Sequence, residues 1–130
     1  MSKVIKNPTL FVDIDGTLVQ YRKFSELSES VLTPIQDVID FVNEHYNNGS
    51  VIIITTARPS SYEVFTKGEL ERIGVKYHQI IMDCGRGTRV ILNDRDPENP
   101  IDRAVGINLT RNGGLKNITI PEEIKSYESN

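Results

Sequence analysis

A single cysteine, two histidines, no surplus of positive charge and no long apolar run set the first bounds on this 130-residue chain. Cys84 alone excludes an intramolecular disulfide and any zinc site built from cysteines, and without a paired histidine it reads as incidental rather than reactive. His45 and His78 show no ligand spacing. The longest apolar stretches run to a handful of residues, too short to cross a bilayer, and Met1 to Pro8 lacks the apolar core of a secretory signal, so a cytoplasmic protein without a membrane partner is expected. The net charge of −3 and a pI near 5.4 leave no polybasic footprint, so nucleic acid is not an expected partner. With 38% hydrophobic and 25% charged residues, the composition fits a single domain, residues 1–130, with a real core and no obvious linker.

What is present is a set of short apolar strands that end in polar, reactive residues. Leu10, Val12 and Ile14 alternate, and Asp13 and Asp15 flank Ile14, so both carboxylates share one face at the end of a strand over 9–14. Gly16 then turns the chain. Two such charges side by side call for a cation or a shared proton, which points to a metal site, an acid/base pair, or both. An EF-hand loop fits poorly, because its glycine falls at the sixth position and a glutamate at the twelfth.

Two further strand ends repeat the pattern. Val51 to Thr56 is a β-branched run that reads as a buried parallel strand over 50–56, ending in Thr55 and Thr56 and followed by Arg58 and Pro59. Arg58 offers a bidentate contact to phosphate or carboxylate, or a solvated charge at a helix start. Arg89 to Asn93 predicts another strand, ending in Asp94 with Asp96 close behind; Asp96 before Pro97 also suits an ordinary turn.

Between these ends the pattern turns helical. Pro34 predicts the first turn of a helix capped by Thr33, with Ile35, Val38, Ile39 and Val42 on one face up to about Tyr46. A second helix is predicted over 60–72, with strands near 76–82, 89–93 and 103–109. The alternation argues for a Rossmann-like, doubly wound α/β fold, its mainly parallel sheet flanked by helices. Residues 19–33 read as a flap. Residues 111–130 read as a turn-rich C-terminal extension, packed along an edge or at a subunit contact, with its last few residues mobile.

The ordered set of strand ends resembles the haloacid dehalogenase superfamily of phosphohydrolases, whose first motif, Asp-x-Asp-Gly-Thr, is matched in full by Asp13 to Thr17. The resemblance covers about residues 9–110. It implies that Thr56, rather than Thr55, is the second-motif hydroxyl that binds the phosphoryl group. It implies a fourth-motif metal ligand at Asp94, with Asn93 standing where an aspartate often does and Asn93 or Asp96 acting through water. For the third-motif cation, Arg86 in the loop Asp83 to Gly87 is preferred, with Arg89 and Lys67 as the other candidates. About 40 residues separate Asp15 from Thr56 and about 37 separate Thr56 from Asp94, too few for a cap domain. The chain therefore looks like a minimal, capless member. Its open site admits a bulky phosphorylated substrate, small or larger, or a second copy of the chain supplies the cover.

The implied chemistry is hydrolysis of a phosphomonoester. Mg²⁺ held by Asp13, the Asp15 carbonyl and Asp94 neutralises the site, and Asp13 attacks phosphorus to form an aspartyl-phosphate. Asp15, with a raised pKa, protonates the leaving oxygen and then activates water. Thr56, the amides of the Asp15–Gly16 turn, Arg86 and Arg58 bind phosphoryl oxygens. A phosphotransferase, a phosphatase of nucleic-acid ends, and a non-catalytic Mg²⁺/phosphate-binding regulatory module are the alternatives. The acidic pI weighs against the second, and Asn93 keeps the third open. Tyr21, Arg22, Lys23 and Phe24 in the flap are candidates for substrate selection, or form a solvated loop with an anchoring aromatic.

Overall fold

In the computed structural model, which describes residues 7–124, the apolar runs at the start of the chain form a parallel sheet. Strand β1 (Leu10–Val12) pairs with β2 (Ile52–Thr55), Leu10 opposite Ile52 and Val12 opposite Ile54. Strand β3 (Gln79–Ile81) pairs with the other edge of β2, Ile80 opposite Ile54, so the order is β1-β2-β3. Helix α1 (Gln36–Asn47) carries the chain from β1 to β2, and α2 (Glu63–Ile73) from β2 to β3. Right-handed crossovers between strands laid down in order put both helices on one face of the sheet. The core agrees: Val38, Ile39 and Val42 of α1 and Leu70 of α2 are buried against Val12, Ile52 and Ile54. The chain is thus an α/β protein, its described residues built on a three-stranded parallel sheet and two α-helices.

Several boundaries differ from the sequence prediction, each for a local reason. Helix α1 begins at Gln36, not at a Thr33 cap, because Val19 bridges Pro34 and the Ile35 N–H donates to the Leu18 carbonyl at 2.8 Å, holding 34–35 extended. The three residues Ser60–Tyr62 form a 3₁₀ turn before α2, which ends at Gly74 in the left-handed conformation (φ 76°) that a glycine adopts freely. The flap closes at its base, where the Gln20 N–H donates to the Thr33 carbonyl at 2.8 Å, and it contains a 3₁₀ turn at Phe24–Glu26.

The strands predicted at 89–93 and 103–109 are not strands. Apolar, β-branched residues favour a strand only when a neighbouring ladder accepts them, and here local polar contacts hold the segment elsewhere. The Arg89 guanidinium turns back onto the carbonyls of Cys84, Gly85 and Gly87. Beyond it, Asp94 pairs with Arg103, Arg95 with Asp102, and Asp96 bridges Asn99, closing residues 94–103 into an exposed polar loop. Val90, Ile91 and Leu92 consequently face solvent, Leu92 at 92% exposure. Among the described residues β1 therefore has a ladder partner on one side only, and the sheet face opposite the helices leaves Phe11 and Ile81 about half exposed (54% and 46%).

The chain then returns to the body. Leu109 and Leu115 pack on the core, the Leu115 N–H donates to Asp37 Oδ2 at 2.9 Å, and the Ile124 carbonyl lies 3.2 Å from His45 Nε2. The segment from Leu115 to Ile124 thus touches α1 at Asp37 and His45. The mobility expected of the last few residues of the C-terminal extension concerns 125–130, outside the described residues. No helix among the described residues is long and apolar enough to cross a membrane.

Candidate active site

Parallel strands deliver their C-terminal ends to the same edge of the sheet, and here that edge collects Asp13 after β1, Thr56 after β2 and Asp83 after β3. The turn after β1 is tight. The N–H groups of Thr17, Leu18 and Val19 all converge on the Ile14 carbonyl at 2.9–3.2 Å, which fixes Ile14 in the core and throws Asp13 and Asp15 to either side of it. Gly16 takes φ 88°, where any other residue is strained, and a Cβ there would sit 3.1 Å from the Cγ of Arg111, a tight contact that the arginine stem would have to relieve.

The two carboxylates, paired by the sequence, have different surroundings. Asp13 is exposed at the mouth of the site and accepts a hydrogen bond from the Thr17 hydroxyl at 3.1 Å. Packing around its base still desolvates the carboxyl and pushes it above the usual carboxylate range; the Asp15 charge adds to this, while the Thr17 and Ile14 hydrogen bonds and the Arg89 charge oppose it. Asp15 is locked from behind. Arg58 Nε donates to Oδ2 at 2.9 Å and Nη2 to Oδ1 at 2.8 Å, a fork on a carboxylate.

Arg58 is completely buried, and its remaining contacts explain how. Its Nη1 donates to Glu69 Oε1 at 2.9 Å and to the Thr66 hydroxyl at 3.1 Å, and Thr66, Glu69 and Leu70 form the buried face of α2. Glu69 in turn accepts from Arg22 of the flap, whose Nη2 donates to Oε1 at 2.8 Å and to Oε2 at 2.9 Å. Two guanidinium groups and two carboxylates thus alternate, Asp15–Arg58–Glu69–Arg22, with no net charge. Burial works against the Arg58 charge, but Asp15 and Glu69 outweigh it and push its pKa further up. Within the chain of four, the Arg22 Nε is buried with no partner among the described residues.

The structure brings some of the predicted site residues together and separates others. Thr56 is buried beside Arg58, its hydroxyl accepting the Arg58 N–H at 3.1 Å and remaining able to donate a proton of its own. Arg58, expected to bind phosphate, is directed at Asp15 and Glu69 instead. The Gly16 N–H, also expected to bind phosphate, donates to the Val19 carbonyl at 2.8 Å. Arg86 lies over the Phe24 ring of the flap, its Cζ 4.5 Å from the centroid. Arg89 is the cation whose charge acts on Asp13. Lys67 pairs with Glu63 and lies near Tyr77, which precedes β3, so it belongs to the opposite end of the sheet. Asp94 and Asp96 sit in the exposed loop: Asp94 accepts from Arg103 at 3.3 Å, and Asp96 accepts the Glu98 N–H at 2.9 Å in an Asx turn. Asn93 is exposed in the same segment.

Other groups at this edge escaped sequence reasoning. Thr17 closes the first motif but was given no role of its own, and Glu69 carries no local signal, since a glutamate in a helix is ordinary. Asp83 accepts the Ser60 N–H at 3.1 and 3.2 Å, tying the β3 loop to the start of the α2 segment. Arg111 reaches the first turn from the far end of the chain: the Asn112 N–H donates to the Gly16 carbonyl at 2.9 Å, and Arg111 stacks on Tyr21 with its Cζ 3.9 Å from the ring centroid. Both histidines make backbone contacts: His78 Nδ1 accepts the Ile52 N–H, and His45 Nδ1 lies against the Phe41 carbonyl.

The donor set for a hard dication is incomplete in this arrangement. Asp13 offers an open carboxylate, but Asp15 is engaged by Arg58 and Asp94 by Arg103, and among the described residues no group of three or more His, Cys, Asp or Glu side chains is placed to hold a metal. Family models, curated proteins and solved structures contain no match to this chain.

Proposed function

We propose that this chain is a phosphomonoester hydrolase that works through an aspartyl-phosphate on Asp13, with Mg²⁺ as its cofactor. The observation that carries the reading is the unequal treatment of the two carboxylates: Asp13 lies open at the strand end, while Asp15 is clamped from behind by a fully buried arginine. A nucleophile must reach its substrate, and a proton-transfer group must hold a fixed orientation. An Asx-rich turn with no chemistry to perform needs no buried guanidinium to orient one of its acids.

In this reading Asp15 takes up a proton from solvent as the negatively charged substrate arrives; an Asp13 carboxylate oxygen then bonds to phosphorus while the ester P–O bond breaks, and the departing oxygen takes that proton. Water then attacks the phosphoryl-aspartate, giving its proton back to Asp15 and releasing phosphate with Asp13 regenerated. Each Asp15 oxygen bonded to Arg58 keeps a second lone pair for this traffic. The Thr56 hydroxyl and Arg89 supply a donor and a positive charge for the phosphoryl oxygens. Mg²⁺ supplies neutralisation of the meeting charges.

Asp13, the Asp15 carbonyl and Asp94 would hold the metal, Asp94 only on leaving its pair with Arg103. The pairing of Asp94 with Arg103 is the one observation that favours the alternative, a phosphate-binding module without turnover.

One assay separates the two. The full chain is incubated with a panel of phosphomonoesters in Mg²⁺ or in EDTA, and acid-quenched samples are searched by mass spectrometry for a phosphoryl group on the peptide containing Asp13. Mg²⁺-dependent phosphate release, lost with EDTA and in Asp13→Asn, is expected. Full activity after verified metal removal, or turnover by Asp13→Asn, overturns the reading, and phosphate binding without release selects the alternative.

A further inference from the structure

The arginines of this chain divide into two groups. Arg22, Arg58, Arg72, Arg95 and Arg103 each have a carboxylate partner, whereas Arg86, Arg89 and Arg111 have none among the described residues. All three unpaired guanidinium groups border the same end of the sheet. Arg89, its guanidinium on the carbonyls of Cys84, Gly85 and Gly87, lies near enough for its charge to act on Asp13, while Arg86 and Arg111 lie on the flap aromatics Phe24 and Tyr21. In an acidic chain whose other guanidiniums all find carboxylates, unpaired positive charge gathered at one rim is a site for an anion.

Arg111 is the best defined of the three. Its stem runs along Gly16, the turn that follows the two site aspartates, with its Cγ 3.1 Å from where a Cβ there would sit. Its guanidinium lies over the Tyr21 ring, Cζ 3.9 Å from the centroid, and the surrounding backbone is fastened twice: the Tyr21 N–H donates to Asn112 Oδ1 at 2.7 Å, and the Asn112 N–H to the Gly16 carbonyl at 2.9 Å. Asn112 itself takes φ 65°, a left-handed conformation that asparagine tolerates better than most residues. Stacking uses the face of a guanidinium and leaves the N–H donors in its plane free, in the fork that matches a phosphate or carboxylate. A fork held beside the nucleophile's turn, but not on the phosphoryl-binding Thr56, lies where the remainder of a substrate passes.

We propose that the substrate carries a second anionic group, a phosphate or a carboxylate, which the Arg111 fork binds on its Tyr21 platform while the first phosphate lies at Asp13. This rests on the phosphohydrolase reading for the placement of the first phosphate. The dianion selectivity is set by two residues far apart in sequence, one in the flap and one in the C-terminal loop, so an uncapped site gains specificity from its rim.

The test uses binding, so that it stands apart from turnover. Calorimetry on the full chain compares alkylphosphonates with ω-phosphonocarboxylates and bisphosphonates of matching chain length. Wild type is expected to prefer a doubly anionic ligand of one optimal length by roughly tenfold to a hundredfold, the range of one charge-assisted hydrogen-bonded pair. The carboxylate and phosphonate series show which second group the site takes. Arg111→Met keeps the stem along Gly16 and removes the fork, so its preference should fall to none; Arg111→Lys, with charge but no fork, should fall between. Arg95→Ala, which removes an equal charge from the exposed loop, should keep the wild-type preference. No preference in wild type, or an equal loss in Arg95→Ala and Arg111→Met, overturns the proposal. If the preference is present and depends on Arg111 while no phosphomonoester is hydrolysed, the anion site stands and the hydrolase reading falls.

Discussion

Replacing Arg58 tests both the fold and the site, because this one side chain joins Asp15 to the buried face of α2. Arg58→Met removes four hydrogen bonds, two to Asp15 and one each to Glu69 and Thr66, from a side chain with no solvent exposure. The alternating chain of charges then carries a net −1, with Glu69 still paired to Arg22 but Asp15 alone beside Asp13. Breaking a buried pair by deleting one partner costs about 3–5 kcal/mol, because the other charge is left buried and uncompensated. A domain of this size has a total stability of about 5–15 kcal/mol, so Arg58→Met should unfold at a markedly lower urea concentration, with its Tm lowered by roughly 10–20 °C. Glu69→Gln measured alone and together with Arg58→Met completes a double-mutant cycle, and a coupling of about 0.5–3 kcal/mol is expected. Arg58→Lys keeps the charge and loses the fork. It should remain folded and lose about a hundredfold or more in kcat on alkyl phosphates, with a smaller loss on an activated aryl phosphate whose leaving group needs no proton. A stability change under about 1 kcal/mol for Arg58→Met, the level of an exposed pair, would refute the buried network. An equal loss on both substrates in Arg58→Lys would refute the role of Arg58 in orienting Asp15.

Asp13 has its carboxyl pushed above the unfolded value, so the folded chain binds that proton more tightly than the unfolded one, and the group's contribution to stability declines as pH rises from the unfolded value through the folded one. Asp13→Asn should therefore be more stable than wild type at neutral pH and lose that advantage in acid below the ordinary aspartate range; thermal unfolding at both pH values checks it, and a less stable Asp13→Asn at neutral pH contradicts the shift. In the chemistry, Asp15→Asn should still accept the phosphoryl group on Asp13 from an activated aryl phosphate and lose roughly a hundredfold to ten-thousandfold with an alkyl phosphate; a larger loss from Asp15→Asn than from Asp13→Asn on the aryl substrate would reverse the two roles. Asp94→Asn breaks only an exposed pair with Arg103, so stability should fall by less than about 1 kcal/mol, while the Mg²⁺ concentration for half-maximal activity rises far more than in Asp96→Asn. Equal effects of the two substitutions on Mg²⁺ would show that Asp94 is not the ligand.

The chain itself announces its strand ends, because the signal there is local: an apolar or β-branched run, then an acid or hydroxyl, then a glycine or proline. That much determined β1, β2 and β3, each shorter than predicted, the helices between them, and the placing of Asp13 and Thr56 at one edge, with the helix starts shifted where Ile35 is held extended by Leu18 and where Ser60 to Tyr62 tightens into a 3₁₀ turn. What Arg58 does was not legible, since its partners Asp15 and Glu69 lie 43 and 11 residues away and nothing in a local pattern says which carboxylate a guanidinium will meet. The same holds for Arg111, which reaches the first turn from the other end of the chain. Residues 89–93 show the converse limit. Val90, Ile91 and Leu92 carry a strand's composition, but a strand exists only in its ladder, and the contacts of Arg89 with its own loop and of Asp94 with Arg103 hold that composition in solvent. Sequence placed the acids at the sheet edge; tertiary pairing decided that Asp13 faces out, that Asp15 is held, and that Asp94 stands apart.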